Sequence, residues 1–106
     1  MSTLVIAEHD NGSLKNSVLN TITAAAAIGD AVDVLIAGAE CKSAADEAAS
    51  VKGVRRVILA DNPVYLNQLP EALAPLVVAA SGDYSHLFAA ATTAGKNLMP
   101  RVAALL

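Results

Sequence analysis

Residues 32–37 read Val-Asp-Val-Leu-Ile-Ala, an almost continuous apolar run that is rich in β-branched side chains. Three similar runs occur along the chain, at Leu4–Ala7, Val57–Ala60 and Leu87–Ala91. Strands covered on both faces carry such runs, whereas strands with one face in water alternate apolar and polar residues. The four runs therefore predict strands of a parallel sheet.

Stretches with helical spacing of apolar residues separate the four runs. Their apolar stripes comprise Leu14, Val18, Ile22 and Ala25; then Leu69, Leu73, Leu76, Val77 and Ala80; and finally Leu98, Val102 and Leu105 or Leu106. A short Ala-rich helix is predicted over 43–51, with Ser43 as its N-cap and Gly53 as its terminator. Gly29 is the expected C-cap of the first helix, and Pro75 is expected to kink the third helix or to begin its regular part.

Strand and helix alternate through the whole chain, so we expect one α/β domain over residues 1–106. Helices on both faces of a parallel sheet give a three-layer α/β/α sandwich, with right-handed crossovers. The length allows a single small core.

Composition narrows the class of protein. The net charge is −3 and the Lys and Arg residues are scattered, which argues against a nucleic-acid-binding surface. Charged residues or Gly interrupt every apolar run before it reaches membrane-spanning length. Met1 leads directly into a predicted strand, without a signal peptide, and Cys41 is the single cysteine, so we expect a reducing compartment such as the cytoplasm or a matrix.

The most specific segment is AAATTAGKNLMPRVAAL, over Ala89–Leu105. It predicts a strand, a Thr-Thr-Ala-Gly turn, and a helix that holds Pro100 in its first turn, where a missing N–H is tolerated. The chain then stops within an apolar helix without a C-cap, so we expect a piece of a longer protein.

These features resemble the electron-transfer flavoprotein alpha subunits over essentially the whole chain. The matching residues at the end are Gly95, Lys96, Leu98, Pro100, Arg101, Val102 and Ala103. The run Leu4–His9 is similar to the family's first strand and turn, and Asn20–Ala25 is similar to its first helix.

The resemblance implies a strand order of 3-2-1-4 and an electron carrier that is not itself catalytic. It implies a heterodimer with a beta subunit, FAD held mainly by a C-terminal domain that this chain lacks, and in many members AMP in the beta subunit. It further implies electron flow from acyl-CoA and related dehydrogenases to a membrane quinone oxidoreductase. This chain would serve as a structural and subunit-docking part, with strand four an open edge and the last helix partly uncovered.

A candidate anion site lies where strand four meets the last helix, because N–H groups are free at a helix start. Its residues are Thr92, Thr93, Gly95, Lys96 and Asn97. The simpler interpretation, which we favour, is that Thr92 and Thr93 cap the helix and Gly95 permits a tight turn. Lys96 and Arg101 are then expected to matter for partner contact or stability.

Two other functions stay open. A stand-alone adenine-nucleotide-binding module of the universal-stress type would need a glycine-rich loop after strand four, where only Gly95 stands. A receiver-like signalling domain would use acids at strand ends, and Glu8, Asp10 and Asp61 are instead expected to be solvated loop acids.

The remaining polar residues predict no catalysis. His9 and His86 lack partners at metal-ligand spacing, and Cys41 is expected to be a structural thiol. Three cations around one turn are expected to form a solvated face: Lys52, Arg55 and Arg56.

Overall fold

The computed structural model describes residues 2–7, 9, 16–27, 31–65, 70–84, 86–89 and 93–105. At 16, 17, 70, 83 and 93–97 it describes the backbone alone.

A parallel sheet forms the middle layer of the molecule. Its four strands are β1 (Ser2–Ile6), β2 (Ala31–Gly38), β3 (Val54–Asp61) and β4 (His86–Ala89). They lie side by side in the order β3-β2-β1-β4, and every described pairing is parallel. The predicted fold class and strand order are therefore confirmed.

Four helices connect and cover the strands. They are α1 (Asn16–Ala27), α2 (Lys42–Ala49), α3 (Pro70–Ala80) and α4 (Thr93–Leu105). Short 3-10 turns at Pro63–Tyr65 and Ser81–Asp83 precede α3 and β4 respectively.

Alternation along β2 divides the apolar side chains between two cores. Val32, Val34 and Ile36 face α1 and α2. Leu35 and Ala37 face the opposite core, which contains Leu73, Ala74, Val77, Leu98 and Val102 of α3 and α4. Burial on both faces explains the continuous apolar runs of the inner strands β1 and β2, and it gives the three layers of the sandwich. On the outer strand β3 the run Val57–Ala60 is only partly buried, and Leu59 is 42% exposed.

The ends of α2 differ from the prediction. The helix begins at Lys42 with Cys41 as its N-cap, so the assignment of Ser43 as N-cap is wrong. Burial decides this start, because Cys41, Ala44 and Ala48 are fully enclosed and the helix has to present that stripe to the sheet. Gly53 lies beyond the helix in the turn to β3, where its φ of 100° suits glycine.

Pro100 lies farther inside its helix than predicted. Helix α4 begins at Thr93, so Pro100 is not in its first turn, and the predicted turn is wrong from Thr93 to Gly95, which are helical. Helix α3 begins at Pro70 and continues through Pro75, so Pro75 lies inside the helix, as one of the two predicted alternatives requires. Each proline removes one backbone hydrogen bond, and the apolar face that each helix buries on the sheet offsets this loss.

The apolar face of α4 is also more completely buried than expected. Leu98 and Val102 are only 5% and 1% exposed, because they lie against α3 in the second core. The expectation that they lose their cover is therefore wrong. Leu105 is 56% exposed.

Candidate functional site

A buried carboxylate at the amino end of the sheet organises the most polar cluster of the described chain. Asp33 lies on β2, and its side chain is fully enclosed. Arg55 of β3 binds it in a bidentate manner: Nε donates to Oδ1 at 2.9 Å and Nη2 donates to Oδ2 at 2.7 Å. This planar pairing is the strong, geometrically specific form of an ion pair.

Two further side chains complete the shell of this carboxylate. Nε of Arg56 donates to Oδ2 of Asp33 at 2.8 Å, and the hydroxyl of Tyr84 donates to the same oxygen at 2.6 Å. Nη2 of Arg56 also reaches the hydroxyl oxygen of Tyr84 at 3.5 Å, which is a weak contact. We call these four residues the Asp33 cluster: Asp33, Arg55, Arg56 and Tyr84.

An irregularity in β3 explains how two consecutive arginines reach one carboxylate. Val54 pairs with Val32, but Arg56 pairs with Asp33, so Arg55 is an extra residue in the ladder. Neighbouring side chains in a regular strand point to opposite faces of the sheet. A bulge removes that alternation locally, and both guanidinium groups therefore meet at Asp33.

The charges of the cluster stabilise one another. Burial alone would raise the pKa of Asp33, but hydrogen bonds from Arg55, Tyr84 and Arg56 outweigh it and lower this pKa to about 2. Burial and the hydrogen bond to Asp33 raise the pKa of the Tyr84 hydroxyl. The Asp33 cluster therefore contains one carboxylate and two cations at neutral pH.

His9 lies at the opposite, carboxyl end of the sheet. It is 3% exposed, and its Nε2–H donates to the carbonyl oxygen of Ala37 at 2.8 Å. This hydrogen bond ties the segment after β1 to the end of β2. His9 therefore has a structural role at this end of the sheet. The described residues contain no group of three or more His, Cys, Asp or Glu that could hold a metal ion.

The loops after β2 and β3 bind each other at the same end. Glu40 has a positive φ of 53°, and its N–H donates to Oδ1 of Asp61 at 2.8 Å. Oδ1 of Asn62 accepts the N–H of Val64 at 3.0 Å, where the chain passes from β3 into the 3-10 turn Pro63–Tyr65. Asp61 thus does more than face solvent, because its carboxylate holds the strained backbone at Glu40.

Most of the predicted anion site lies outside the described part of the chain. Thr92 lies outside the described residues, and so do the side chains of Thr93, Lys96 and Asn97. The same holds for Glu8 and Asp10.

Arg101 is described, and it contacts its own chain. Its Nη2 lies 3.3 Å from Oε1 of Glu71, so the ion pair joins α4 to α3. Both side chains are more than half exposed, at 54% and 62%, which makes this pair weak.

Cys41 and His86, which the sequence analysis also considered, have structural roles. Cys41 is buried, and burial together with the charge of Asp61 raises the pKa of its thiol, which disfavours a reactive thiolate. His86 begins β4, with its ring edge toward Phe88 at a centroid distance of 6.4 Å. In the described part of the chain no helix is long and apolar enough to cross a membrane.

Sequence reasoning missed the Asp33 cluster. It interpreted Arg55 and Arg56 as a solvated face, which is incomplete because their inner N–H groups bind Asp33. The signal was a single acid inside the apolar run at 32–37, since a buried carboxylate requires cationic partners. Tyr84 gave no such signal.

The fold and the site define a class of protein, a parallel α/β domain. Its polar cluster lies at the amino end of the sheet. At the carboxyl end, the described loops bind each other. The model of the electron transfer flavoprotein domain family matches residues 3–106. The chain therefore belongs to the electron transfer flavoprotein domain family.

The relatives specify the kind of subunit. The chain is 53% identical over 106 residues to the electron transfer flavoprotein subunit alpha of Pseudomonas aeruginosa, covering 100% of this chain and 34% of that protein. It is 48% identical to the subunit alpha of Paracoccus denitrificans, with the same coverage. It is 46% identical to the mitochondrial subunit alpha of Dictyostelium discoideum, covering 97% of this chain and 31% of that protein. The chain thus spans about a third of the length of these relatives.

Proposed function

We propose that this chain is the structural and subunit-docking part of a heterodimeric electron-transfer flavoprotein. The observation that carries the proposal is the similarity to alpha subunits over the full length of the chain, together with membership of their family. An alpha subunit implies a beta-type partner, and a compact sheet with cover on both faces provides a rigid platform for such a partner.

The flavin of the intact protein is FAD, held mainly by a domain outside this chain. Support comes from the carboxyl end of the sheet, where parallel α/β folds usually bind ligands. There His9 binds Ala37 and Asp61 binds the backbone of Glu40. Polar groups that are occupied in this way fit a flavin phosphate or ring poorly, so we assign no flavin contact to the described residues.

In this proposal the chain carries no catalytic step. Acyl-CoA and related dehydrogenases deliver electrons to the FAD, and a membrane quinone oxidoreductase receives them. AMP, where present, belongs to the beta-type subunit. The location is the bacterial cytoplasm or the mitochondrial matrix, in keeping with bacterial and mitochondrial relatives.

The decisive experiment is co-expression of the chain with a beta-type subunit of this family, followed by size-exclusion chromatography. We expect the two chains to co-elute and the pooled fractions to lack a flavin band. Separate elution at micromolar concentration would contradict the docking role. Stoichiometric retention of FAD by the chain alone, after dialysis, would contradict the assignment of the flavin to another domain.

A thermal-shift titration with AMP and ATP separates this proposal from a stand-alone nucleotide-binding module. We expect no concentration-dependent rise in melting temperature for the isolated chain. A saturable rise would favour the universal-stress type of function. A phosphodonor assay tests the receiver-like alternative in the same way, because a stable acyl phosphate would support signalling.

A further inference from the structure

The two arginines of the Asp33 cluster have unused binding capacity toward solvent. Arg55 is 48% exposed and Arg56 is 61% exposed, although both bind a fully buried carboxylate. Their inner N–H groups are occupied by Asp33 and Tyr84. Among the described residues, Nη1 of neither guanidinium has a hydrogen-bond partner, so these amino groups remain for another ligand.

The charge of the cluster selects the kind of ligand. Two guanidinium groups oppose one carboxylate, which leaves one net positive charge on the Asp33 cluster itself. Exposed Lys52, in the turn that leads into β3, adds another. This excess of cations favours an acidic ligand, and the planar fork of each guanidinium matches the two oxygens of a carboxylate.

The arginines are also held in place before any ligand arrives. Free arginine side chains lose rotamer entropy when they bind, and this loss weakens exposed ion pairs. Here the bidentate grip of Asp33 on Arg55 and its bond to Nε of Arg56 fix both guanidinium planes in advance. A fixed pair of forks recognises carboxylates better than mobile lysines do.

We propose that Arg55 and Arg56 form a docking point for an acidic segment of a partner protein, whose carboxylates bind the outward N–H groups of both guanidinium groups. The site lies at the amino end of the sheet, on the edge strand β3 of the described order.

Titration of the chain with hexaglutamate, followed by NMR of the Arg Nε–H signals, tests this proposal. We expect saturable shifts of the Arg55 and Arg56 signals that weaken as salt is added. Inorganic phosphate and phosphatidylserine vesicles are the parallel probes. Stronger binding of either than of hexaglutamate would overturn the proposal, and so would the absence of a saturable shift.

Matched variants separate docking from general electrostatics. Arg56→Gln and Lys42→Gln each remove one positive charge from an exposed position, on β3 and on α2 respectively. We expect Arg56→Gln to weaken hexaglutamate binding by roughly fivefold, the size of a half-exposed ion pair, and Lys42→Gln to leave it unchanged. Arg56→Lys should also bind more weakly, because it lacks the planar fork. Equal effects of Arg56→Gln and Lys42→Gln would overturn the proposal.

Discussion

The hydroxyl of Tyr84 lies 2.6 Å from Oδ2 of Asp33 and donates a hydrogen bond to it, across 51 positions of sequence. Asp33 lies on β2, and Tyr84 lies in the connection from α3 into β4. The bond therefore joins an inner strand to the segment that returns the chain to the far side of the sheet. Its length is typical of a hydroxyl that donates to a charged acceptor.

Replacement of Tyr84 by Phe should destabilise the chain. The variant keeps the ring and removes one donor from a buried carboxylate, which costs about 1–2 kcal/mol. The pKa of Asp33 should rise, because a hydrogen bond to its charged form is lost. Chemical denaturation measures the first effect and NMR titration of the carboxyl carbon measures the second.

Tyr65→Phe is the matched control for this substitution. Tyr65 packs at the edge of the second core, and its hydrogen bond to the carbonyl oxygen of Asn62 uses the backbone N–H, which the variant retains. Its free energy of unfolding should stay within about 0.5 kcal/mol of the parent. Equal losses of unfolding free energy in both variants would contradict a specific stabilising role of the Tyr84 hydroxyl.

Stability should depend on pH through Asp33. Its pKa is lowered from 3.8 to about 2 in the folded chain, so the unfolded chain binds a proton first as the pH falls. The contribution is therefore complete above pH 3.8 and is lost as the pH falls toward 2. A shift of this size corresponds to at most about 2 kcal/mol, and the half-exposed arginines reduce it.

Asp33→Asn isolates this contribution from those of other acids. The difference in unfolding free energy between the parent and Asp33→Asn should be constant near neutral pH and should shrink below pH 4. Urea denaturation at a series of pH values measures this difference. A difference that is independent of pH down to 2 would contradict the assignment.

The layers of the fold were predictable because they rest on periodicity. Continuous apolar runs require cover on both faces, and the residues Val32–Ala37 are buried as that pattern predicts. The ends of helices were less predictable. Pro100 suggested a helix start, but α4 begins at Thr93 and already buries Leu98 ahead of that proline. Local proline chemistry was outweighed by tertiary packing.

The Asp33 cluster was only half accessible from sequence. The isolated acid on β2 indicates a need for cations, and Arg55 and Arg56 open the neighbouring strand. Both arginines reach Asp33 only because of the bulge at Arg55, and no residue type in the sequence predicts that bulge. Tyr84 is distant from Asp33 in sequence, so its hydrogen bond to that carboxylate depends on the path of the chain after α3.

Replacement of Thr3 by Val should stabilise the chain. Thr3 is fully buried, and its Oγ1 has no hydrogen-bond partner among the residues that the structure describes. Valine has a similar shape and lacks the hydroxyl, so unfolding should cost roughly 1 kcal/mol more. Thr23→Val is the control, because the exposed Thr23 hydroxyl donates to the Leu19 carbonyl oxygen at 3.0 Å. A lower melting temperature for Thr3→Val would reveal a partner for that hydroxyl.

Replacement of both Lys96 and Arg101 by Ala should weaken assembly of an alpha-type subunit with its beta-type partner. The prediction rests on the motif that these residues share with the family. Glu71→Ala is the control, because it breaks the exposed ion pair of Arg101 at 3.3 Å and keeps both cations. That pair contributes less than about 1 kcal/mol, so Glu71→Ala should assemble normally. Loss of flavin chemistry with normal assembly in the double variant would contradict this role.

The two outer strands of the described sheet differ in how well they are protected against pairing with another chain. Strand β3 carries Arg55 and Arg56, and charged side chains on an edge oppose pairing with another chain. Strand β4 consists of His86, Leu87, Phe88 and Ala89, which carry no permanent charge. In the described order β4 pairs with β1 alone.

The isolated chain should therefore self-associate through β4, with help from the exposed Leu105 on α4. An edge strand offers unpaired N–H and C=O groups to a second copy, and Leu105 is 56% exposed. Light scattering should show a mass that rises with concentration, and Leu105→Lys should reduce this rise. Val64→Lys is the control, since Val64 is 61% exposed in the turn Pro63–Tyr65, which follows β3 at the opposite edge of the described sheet. Because Leu98 and Val102 are already covered, the edge and Leu105 have to drive association on their own. A cooperatively melting monomer at millimolar concentration would show that an uncharged edge of this length is no liability.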